Sequence, residues 1–416
     1  MSRTERTYYL VFGLYHASWS FLGPVYPLFL LSRGLDLFEI NVVLAVYFVT
    51  VLVFEVPTGA VADRFGRRAS FLASCLIRCA AFALYWRSSS FPAFLLAEFI
   101  DAIGTTLATG ALDAWAIDGV RAEGRADRAE RLFARGHAIA RGTMIAAGLA
   151  GGYLASSDIG LPWIVGAASF LATAAIGSAT MREHRGRTDA TNHPSLVATM
   201  RESVALLRRS EALWTVCVLT AVTAFAHMPA MLLWPPRLEQ IVGREMWLMG
   251  WVWVLLNAAA MLASATVSKV GAETRSGRLL AAVTALRALA LGVAAGAVGP
   301  VVAVGGILFL EAGFAAADPF LQARMSDGAT AEHRATVLSL RSMSFTSGGA
   351  LGLVLLGFAA RGFGIPVAWL GAAAVLMLAV PLFLRLDRPR SGGDRALEGL
   401  TPARMRDVGP IDLSGT

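Results

Sequence analysis

The sequence predicts an all-α integral membrane protein, with twelve transmembrane helices in two six-helix, pseudo-symmetric bundles. The first observation is composition: 56% of the 416 residues are hydrophobic and 16% are charged, and mean hydropathy is +0.60. Soluble domains are about 45–50% apolar and about 25% charged. The other two observations are twelve long apolar stretches and a weak repeat between the chain's halves. An ordinary soluble fold is therefore excluded, and three cysteines cannot form a disulfide framework.

Each of the twelve apolar stretches approaches or exceeds the roughly 20 residues that a membrane-crossing helix needs. The first one follows Arg3 and Arg6, as a signal peptide would. It runs beyond signal-peptide length without a small-residue cleavage site, so we expect it to be retained. The predicted spans are 8–31, 39–61, 70–86, 91–118, 133–156, 160–181, 212–235, 246–268, 278–298, 301–324, 335–360 and 364–385.

The basic residues predict the orientation of these spans. An even number of spans places both termini on one side. When basic residues at the ends of spans are counted with the adjoining segment, that side receives 27 of the 36 Lys and Arg residues, against five on the other. The positive-inside rule therefore predicts cytoplasmic termini in a multi-pass protein of the cell membrane. Because the basic residues are spread over seven segments, the net charge of +7 does not indicate nucleic-acid binding.

The longest polar segment divides the chain into two halves. We predict an N-terminal six-helix bundle over residues 1–182 and a C-terminal six-helix bundle over 212–386. Between them, residues 183–211 form a cytoplasmic loop in which apolar residues recur at helical spacing, which predicts a surface amphipathic helix. The tail 387–416 is rich in Arg, Gly, Pro and Ser, and is expected to be disordered.

A weak repeat relates the two halves. The segment around Asp113 resembles the later segment around Asp318. Arg131 and Arg334 each stand at the start of the next span, at nearly the same displacement. Two similar six-helix halves are typical of transporters whose site lies between the repeats. Chance similarity between Ala- and Gly-rich helices is the alternative.

The loop after the second span carries the most specific motif. It reads Gly59-Ala60-Val61-Ala62-Asp63-Arg64-Phe65-Gly66-Arg67-Arg68, which matches the pattern G-x-x-x-D-R-x-G-R-R/K. With the twelve spans, the central loop and the repeat, the chain resembles the major facilitator superfamily over nearly its whole length. The resemblance implies transport by alternating access, with this motif acting as a latch for one of the two states. Charge that only sets membrane topology is the alternative.

The residue types of the motif suit a latch on physical grounds. Gly59 lets another helix approach closely, and Gly66 permits a tight turn. Asp63 lies where a carboxylate can face a helix N-terminus or an arginine. Arg67 can reach an acid at the cytoplasmic end of span four, where Asp118 is the best-placed candidate.

Ionisable groups within the spans are candidates for a polar pathway. Each costs about 2.5–3.5 kcal/mol at mid-bilayer on insertion scales, so most should face a cavity or one another. Glu98 and Asp101 share a face of span four and are the predicted proton-coupling pair. The alternative is a static ion pair with Arg78 or Arg141. The other charged candidates for the substrate cavity are Arg78, Asp113, Arg141, Arg287, Glu311, Asp318 and Arg341.

Some of these residues admit a second interpretation. Asp113 and Asp318 line the cytoplasmic half of the pathway or orient the motif loops. Tyr15, His16 and Trp19 form one aromatic, polar face of span one, and His227 lies in span seven. In the resembled family spans one, four, seven and ten line the cavity, which favours substrate contacts; interfacial anchoring is the alternative.

The function indicated is secondary active transport of a small organic solute. The chain has no phosphate-binding P-loop, and its only lysine is Lys269. We expect a monomer in the lipid bilayer that uses protons or another coupling ion, with no cofactor, metal or nucleic acid. Export of a hydrophobic or amphiphilic compound is favoured, and transport of an organic anion or metabolite is the alternative. A membrane-embedded transferase or a sensor is a more distant alternative.

Two departures from the resembled family weaken a drug:proton antiport. Many proton-coupled exporters carry R-x-x-Q-G in span four, whereas this chain has Glu98-Phe99-Ile100-Asp101-Ala102. The span-five signature G-P-x-x-G-G is also eroded, because residues 148–152 lack the proline. Neither departure affects the expected fold.

Overall fold

The computed structural model describes residues 1–183, 210–269, 277–326 and 334–387, and it contains α-helices without β-strands in those ranges. The all-α prediction is confirmed. In chain order the helices are α1 (Arg3–Ser20), α2 (Tyr26–Ser32), α3 (Leu37–Phe65), α4 (Arg67–Arg87), α5 (Phe91–Ala108), α6 (Ala111–Ala122), α7 (Ala129–Ser157), α8 (Leu161–Thr180), α9 (Glu211–Val242), α10 (Met246–Lys269), α11 (Gly277–Gly296), α12 (Pro300–Ser326), α13 (Arg334–Phe363) and α14 (Ile365–Leu384).

The helices reproduce the twelve predicted spans. Ten helical segments of the described residues are long and apolar enough to cross a membrane, with α5 and α6 counted together. The pair α1–α2 and helix α7 complete the twelve. The predicted amphipathic helix of the central loop and most of the predicted tail lie outside the described residues.

Two spans that were predicted as continuous are broken. Span one stops at Ser20 and resumes at Tyr26, after a turn that contains Gly23 and Pro24. Span four stops at Ala108 and resumes after Gly110, whose φ is +73°. A left-handed residue cannot continue a right-handed helix, and glycine adopts it at least cost. Hydropathy does not detect these breaks because both segments stay apolar throughout.

Side chains of the first residues set two helix starts. The Ser2 hydroxyl accepts a hydrogen bond from the Glu5 backbone N–H (3.2 Å), and the Glu5 carboxylate accepts one from the Ser2 N–H (2.9 Å). Asp36 and Glu39 form the same reciprocal box at the start of α3, at 2.9 Å in both directions. Such boxes satisfy N–H groups that the helix leaves unpaired.

The helices also display the repeat between the halves. Helix α4 ends at Arg87 and α11 at Gly296, while α5 starts at Phe91 and α12 at Pro300. These two pairs of residues have the same separation along the chain. Asp113 lies later in span four and Asp318 lies later in its counterpart, span ten. Their separation along the chain is shorter than that of the two pairs above by about one helical turn of residues. The separation between equivalent residues therefore changes at the point where span four is broken and α12 is continuous.

The described polar contacts between the halves lie at mid-membrane and on the side opposite the N-terminus. On that opposite side, Asp36 pairs with Arg361 at 3.2 Å. The Trp251 indole N–H donates to the Tyr153 hydroxyl at 3.1 Å. At mid-membrane, the Trp253 indole donates to the Met144 carbonyl at 3.3 Å. The halves are therefore joined on the side away from the N-terminus.

Close contact of α7 with α10 on that side depends on glycine. A Cβ at Gly152 would lie 2.8 Å from the Gly250 nitrogen and 3.0 Å from the Met246 carbonyl oxygen. We predict that Gly152→Val lowers the free energy of unfolding by about 1–3 kcal/mol, because backbone atoms cannot yield to the added volume. Thermal unfolding of the purified protein in detergent measures the effect.

The matched control is Gly142→Val, on the same helix, where a Cβ would meet nothing within 4 Å. This variant should unfold within a few degrees of the wild type. Equal losses in the two variants would show that the helix propensity of valine, rather than contact between the halves, determines the effect.

Candidate functional site

The first half encloses a cavity of about 650 Å³. Helices α1 to α8 all contribute lining residues. Among the residues proposed from the sequence, the cavity is lined by Tyr15, His16, Trp19, Arg78, Glu98, Asp101 and Asp113. Most of its wall is aromatic or aliphatic, so these polar groups stand out against an apolar surface.

The remaining candidates do not line this cavity. Asp318 borders a second, much smaller cavity formed by α9, α12 and α13. Arg141, His227, Arg287, Glu311 and Arg341 line neither of the two. The sequence predicted a polar pathway between the halves; of these two cavities in the described residues, the larger lies in the first half and the smaller in the second. The halves pack against each other through α3, α7, α10 and α13.

A buried ion pair holds the centre of the first-half cavity. Arg78 of α4 donates from Nε and Nη2 to the two carboxylate oxygens of Asp101 on α5, at 2.8 and 3.0 Å. Its Nη1 donates to the Tyr15 hydroxyl at 3.1 Å, and its guanidinium lies 4.6 Å from the Phe170 ring centroid. All three guanidinium nitrogens have partners, as a buried charge requires.

A glycine makes this pair possible. A Cβ at Gly104, one turn after Asp101, would lie 2.5 Å from Cγ of Arg78. The arginine therefore crosses α5 where there is no side chain to displace it. The static pairing of Asp101 with Arg78, which the sequence left as an alternative, is the geometry that the structure has.

Glu98 occupies a different environment from Asp101. The Tyr85 hydroxyl donates a short hydrogen bond to Glu98 Oε2, and the Tyr26 hydroxyl donates to the same oxygen at 3.4 Å. The Tyr85 ring stacks on Trp163, with centroids 4.1 Å apart. The Glu98 side chain is 4% exposed and forms no ion pair with the described residues. The expected carboxylate pair is thus split into an ion-paired Asp101 and a Glu98 held by phenols.

Sequence reasoning missed the tyrosines that hold the carboxylates. Tyr26 and Tyr85 lie in other spans than Glu98, and Tyr8 donates to Asp113 at 2.8 Å from α1. In the sequence, such residues are indistinguishable from aromatic anchors of the membrane interface. His137, which also lines the cavity, was missed for the same reason.

The motif is mostly helical: it covers the end of α3, the turn at Gly66 and the start of α4. Gly66 has φ of +101°, as the expected tight turn requires. Arg67 forms an ion pair with Asp118 and donates to the Ala114 carbonyl at 3.0 Å, and Arg68 donates to the Ser178 carbonyl at 2.8 Å. These contacts fasten the start of α4 to α6 and α8, all within the first half. Arg64 lies over the Phe65 ring, 5.4 Å from its centroid.

Gly59 does not have the expected close neighbour. A Cβ added there would meet nothing within 4 Å. The reason is that the described polar contacts between the halves lie at mid-membrane and beyond, whereas Gly59 lies near the end of α3 that is on the side of the N-terminus.

The second half contains a charged cluster of its own. Arg341 pairs with Asp318, and His227 Nε2 lies 3.4 Å from a Glu311 carboxylate oxygen. Arg287 is 1% exposed, and none of its three nitrogens has a hydrogen-bond partner in the described residues. Arg141 of the first half donates across the interface to the Asn257 amide oxygen at 3.2 Å.

Comparison with known proteins agrees with this fold. The family described as Major Facilitator Superfamily matches residues 8–353. An uncharacterized MFS-type transporter, YxaM of Bacillus subtilis (strain 168), is 29% identical over 143 residues, which are 34% of this chain and 35% of that protein. The chain therefore matches this relative over only about a third of its length.

Solved structures are similar over most of the chain. The nucleoside transporter NupG (D323A mutant) has a TM-score of 0.80 at 12% identity, covering 92% of this chain and 100% of that one. A bacterial homolog of the human lysosomal transporter Spinster, inward-facing and occupied, has a TM-score of 0.72 at 14% identity, covering 92% and 96%. The human organic anion transporter MFSD10 has a TM-score of 0.59 at 16% identity, covering 92% and 99%.

The ion pair of Arg78 with Asp101 yields a stability prediction. Arg78→Gln should lower the free energy of unfolding by about 3–5 kcal/mol, because it leaves a buried carboxylate without its cation. The double variant Arg78→Gln/Asp101→Asn should recover most of that loss. Thermal unfolding of the four proteins in detergent completes the cycle.

Glu98→Gln is the matched control, since it alters a neighbouring carboxylate on the same helix face that has no ion-paired cation. It should cost much less than Arg78→Gln. Strictly additive losses for Arg78 and Asp101 would contradict a stabilising pair.

Proposed function

Because the chain belongs to the major facilitator superfamily, we propose that it exports a small hydrophobic or amphiphilic organic solute in exchange for protons, by alternating access. Membership makes it a multi-pass membrane transporter of small molecules rather than an enzyme. The observation that carries the finer proposal is Glu98, a carboxylate in the cavity wall that is buried among phenols and not paired with a cation.

The cavity supports an organic solute. A volume of about 650 Å³ is in the range that encloses drug-sized molecules, about 300–1,000 Å³. Its wall includes Trp19, Tyr26, Tyr85 and Trp163, which offer broad aromatic faces and few hydrogen-bonding groups. Such a surface favours an amphiphilic or hydrophobic compound over a sugar-like one.

Glu98 is the group that we assign to the proton. An ionised carboxylate in an apolar interior costs several kcal/mol unless a cation offsets it. Asp101 has that cation in Arg78, whereas Glu98 has only hydroxyl donors. Uptake of a proton lets Glu98 be buried as a neutral acid, and its release into the cavity would accompany solute exchange. Asp101 instead positions Arg78.

Alternating access also follows from the contacts between the halves. The positive-inside rule assigns the side with the N-terminus to the cytoplasm of a cell-membrane protein. The halves then meet from mid-membrane outward, and this conformation faces the cytoplasm. In the opposite state we expect the motif end of α3, with Gly59 and Asp63, to approach the second half while Arg67 stays on Asp118. A monomer suffices for this cycle.

Transport of an organic anion is the second candidate. It is favoured by the unpaired, fully buried guanidinium of Arg287, since a positive charge without a hydrogen-bonded acid suits an anionic solute. A solute that is both amphiphilic and acidic would satisfy both candidate functions.

Proton coupling is tested by Glu98→Gln. Purified protein in proteoliposomes should accumulate one or more members of a panel of dyes, antibiotics and organic anions when a pH gradient is imposed. Glu98→Gln should lose gradient-driven accumulation by about tenfold or more and retain counterflow of the same solute without a gradient. The reason is that glutamine keeps the side-chain volume and accepts the tyrosine hydrogen bonds but carries no proton.

Ser88→Ala is the matched control near the same end of the cavity, and it should retain full gradient-driven transport. Within the part of the chain that the structure describes, its hydroxyl bonds only to the carbonyl of Leu84, in the last turn of α4. Full proton-driven transport by Glu98→Gln would contradict the assignment of the proton to Glu98. Absence of gradient-dependent movement of every panel member by the wild type would contradict the proposed transport itself.

A further inference from the structure

Arg78 and Arg287 occupy equivalent places in the two halves. Their separation along the chain equals the one that relates the end of α4 to the end of α11 and the start of α5 to the start of α12. Gly104 and Gly313 are separated by the same amount. A Cβ at Gly313 would lie 2.5 Å from Cγ of Arg287, just as a Cβ at Gly104 would lie 2.5 Å from Cγ of Arg78. Each arginine therefore crosses its neighbouring helix over a glycine.

The acids of the first half have no counterpart in the second. At the same displacement, Asp101 corresponds to Leu310, which is 0% exposed, and Glu98 corresponds to Ile307, which is 1% exposed. The second half thus has buried apolar side chains at both places where the first half has acids. The Nε, Nη1 and Nη2 atoms of Arg287 are all without a hydrogen-bond partner in the described residues.

The nearest acids are already engaged elsewhere. Glu311 and Asp318 act on Arg287 electrostatically, but neither lies within ion-pair distance of it. Glu311 contacts His227, and Asp318 pairs with Arg341. Burying a guanidinium without a paired acid costs several kcal/mol, so the fold retains Arg287 at the expense of stability. A charge kept at such a cost is a mark of function.

We propose that Arg287 binds the carboxylate of an amphiphilic organic anion, which takes the part that Asp101 plays for Arg78. The inference rests on the proposed transport function and names the class of solute. The aromatic ring of Phe314, whose centroid is 5.4 Å from the Arg287 guanidinium, provides an apolar contact for the body of the anion. His227 stacks on that ring at 4.0 Å and keeps it in place. Because Arg287 is buried in this conformation, the anion reaches it during the movement of the halves.

Binding of benzoate to the purified full-length protein in detergent tests the proposal. Benzoate has a carboxylate on an apolar ring, benzamide has the same shape without charge, and benzylamine has the opposite charge. At about 10 mM, benzoate should raise the unfolding temperature of the wild type by about 3 °C or more, as a ligand specific to the native state does. Benzamide and benzylamine should leave it within about 1 °C of the unliganded value.

Three variants separate a binding site from a structural arginine. Arg287→Gln should be more heat-stable than the wild type without ligand, because an uncompensated charge is removed, and its affinity for benzoate should fall by about tenfold or more. Leu310→Asp restores the pseudo-symmetric ion pair, so it should be stable yet insensitive to benzoate. Leu310→Asn has nearly the same shape without the charge, and it should keep the response to benzoate.

The proposal is overturned if benzamide stabilises the wild type as much as benzoate, or if benzoate fails to stabilise it. It is also overturned if Arg287→Gln keeps the wild-type response, or if Leu310→Asp and Leu310→Asn respond alike. Arg287→Gln removes no apolar core residue, so it decides the question even if the Leu310 variants do not fold. Binding is measured without a gradient. If the wild type binds benzoate but transports no solute on a proton gradient, or if Glu98→Gln keeps full proton-driven transport, the proposed coupling is contradicted and the anion site remains.

Discussion

The ion pair between Arg78 and Asp101 is the contact on which the first-half cavity depends. In a membrane-embedded bundle an arginine that is buried without acids or hydroxyls to satisfy it costs stability. This pair avoids that cost, because it satisfies both members with two parallel hydrogen bonds. Because Asp101 is paired with Arg78, the hydrogen bonds to Glu98 come from the hydroxyls of Tyr26 and Tyr85. The two carboxylates therefore share a helix face but differ in their partners. In the proposed mechanism, Asp101 positions Arg78 and Glu98 exchanges the proton.

The same constraint gives the halves different roles. Both keep an arginine that crosses a glycine, at Arg78 over Gly104 and at Arg287 over Gly313. Among the described residues, only the first half places an acid of the neighbouring helix within ion-pair distance of its arginine. In the proposed cycle, the first half therefore provides the proton site at Glu98 and the second half provides the cation of Arg287 for an acidic solute.

The sequence predicted the twelve spans, with limits that lie within about two helical turns of the helix ends, because the requirement to bury apolar length in lipid acts on every span separately. It also predicted that Arg67 could reach Asp118, because both were placed at the same end of the predicted spans. It could not predict the break at Gly110, where hydropathy is unchanged. Nor could it separate Glu98 from Asp101, because the tyrosines that distinguish them come from other spans. The sequence also could not predict that Arg287 lacks an ion-paired acid. The repeat visible in the sequence aligns Asp113 with Asp318, and its displacement differs by about one helical turn from the displacement that aligns Arg78 with Arg287.

The central claim is that a proton on Glu98 biases the equilibrium between two arrangements of the halves. It is tested most directly by electron-electron distance measurements in lipid nanodiscs, with spin labels at Arg121→Cys and Arg278→Cys on the side of the N-terminus and the three native cysteines replaced. We predict two distance populations whose ratio changes between pH 5 and pH 8, and a ratio that is independent of pH when Glu98→Gln is added. The same pH dependence with and without Glu98 would contradict the account.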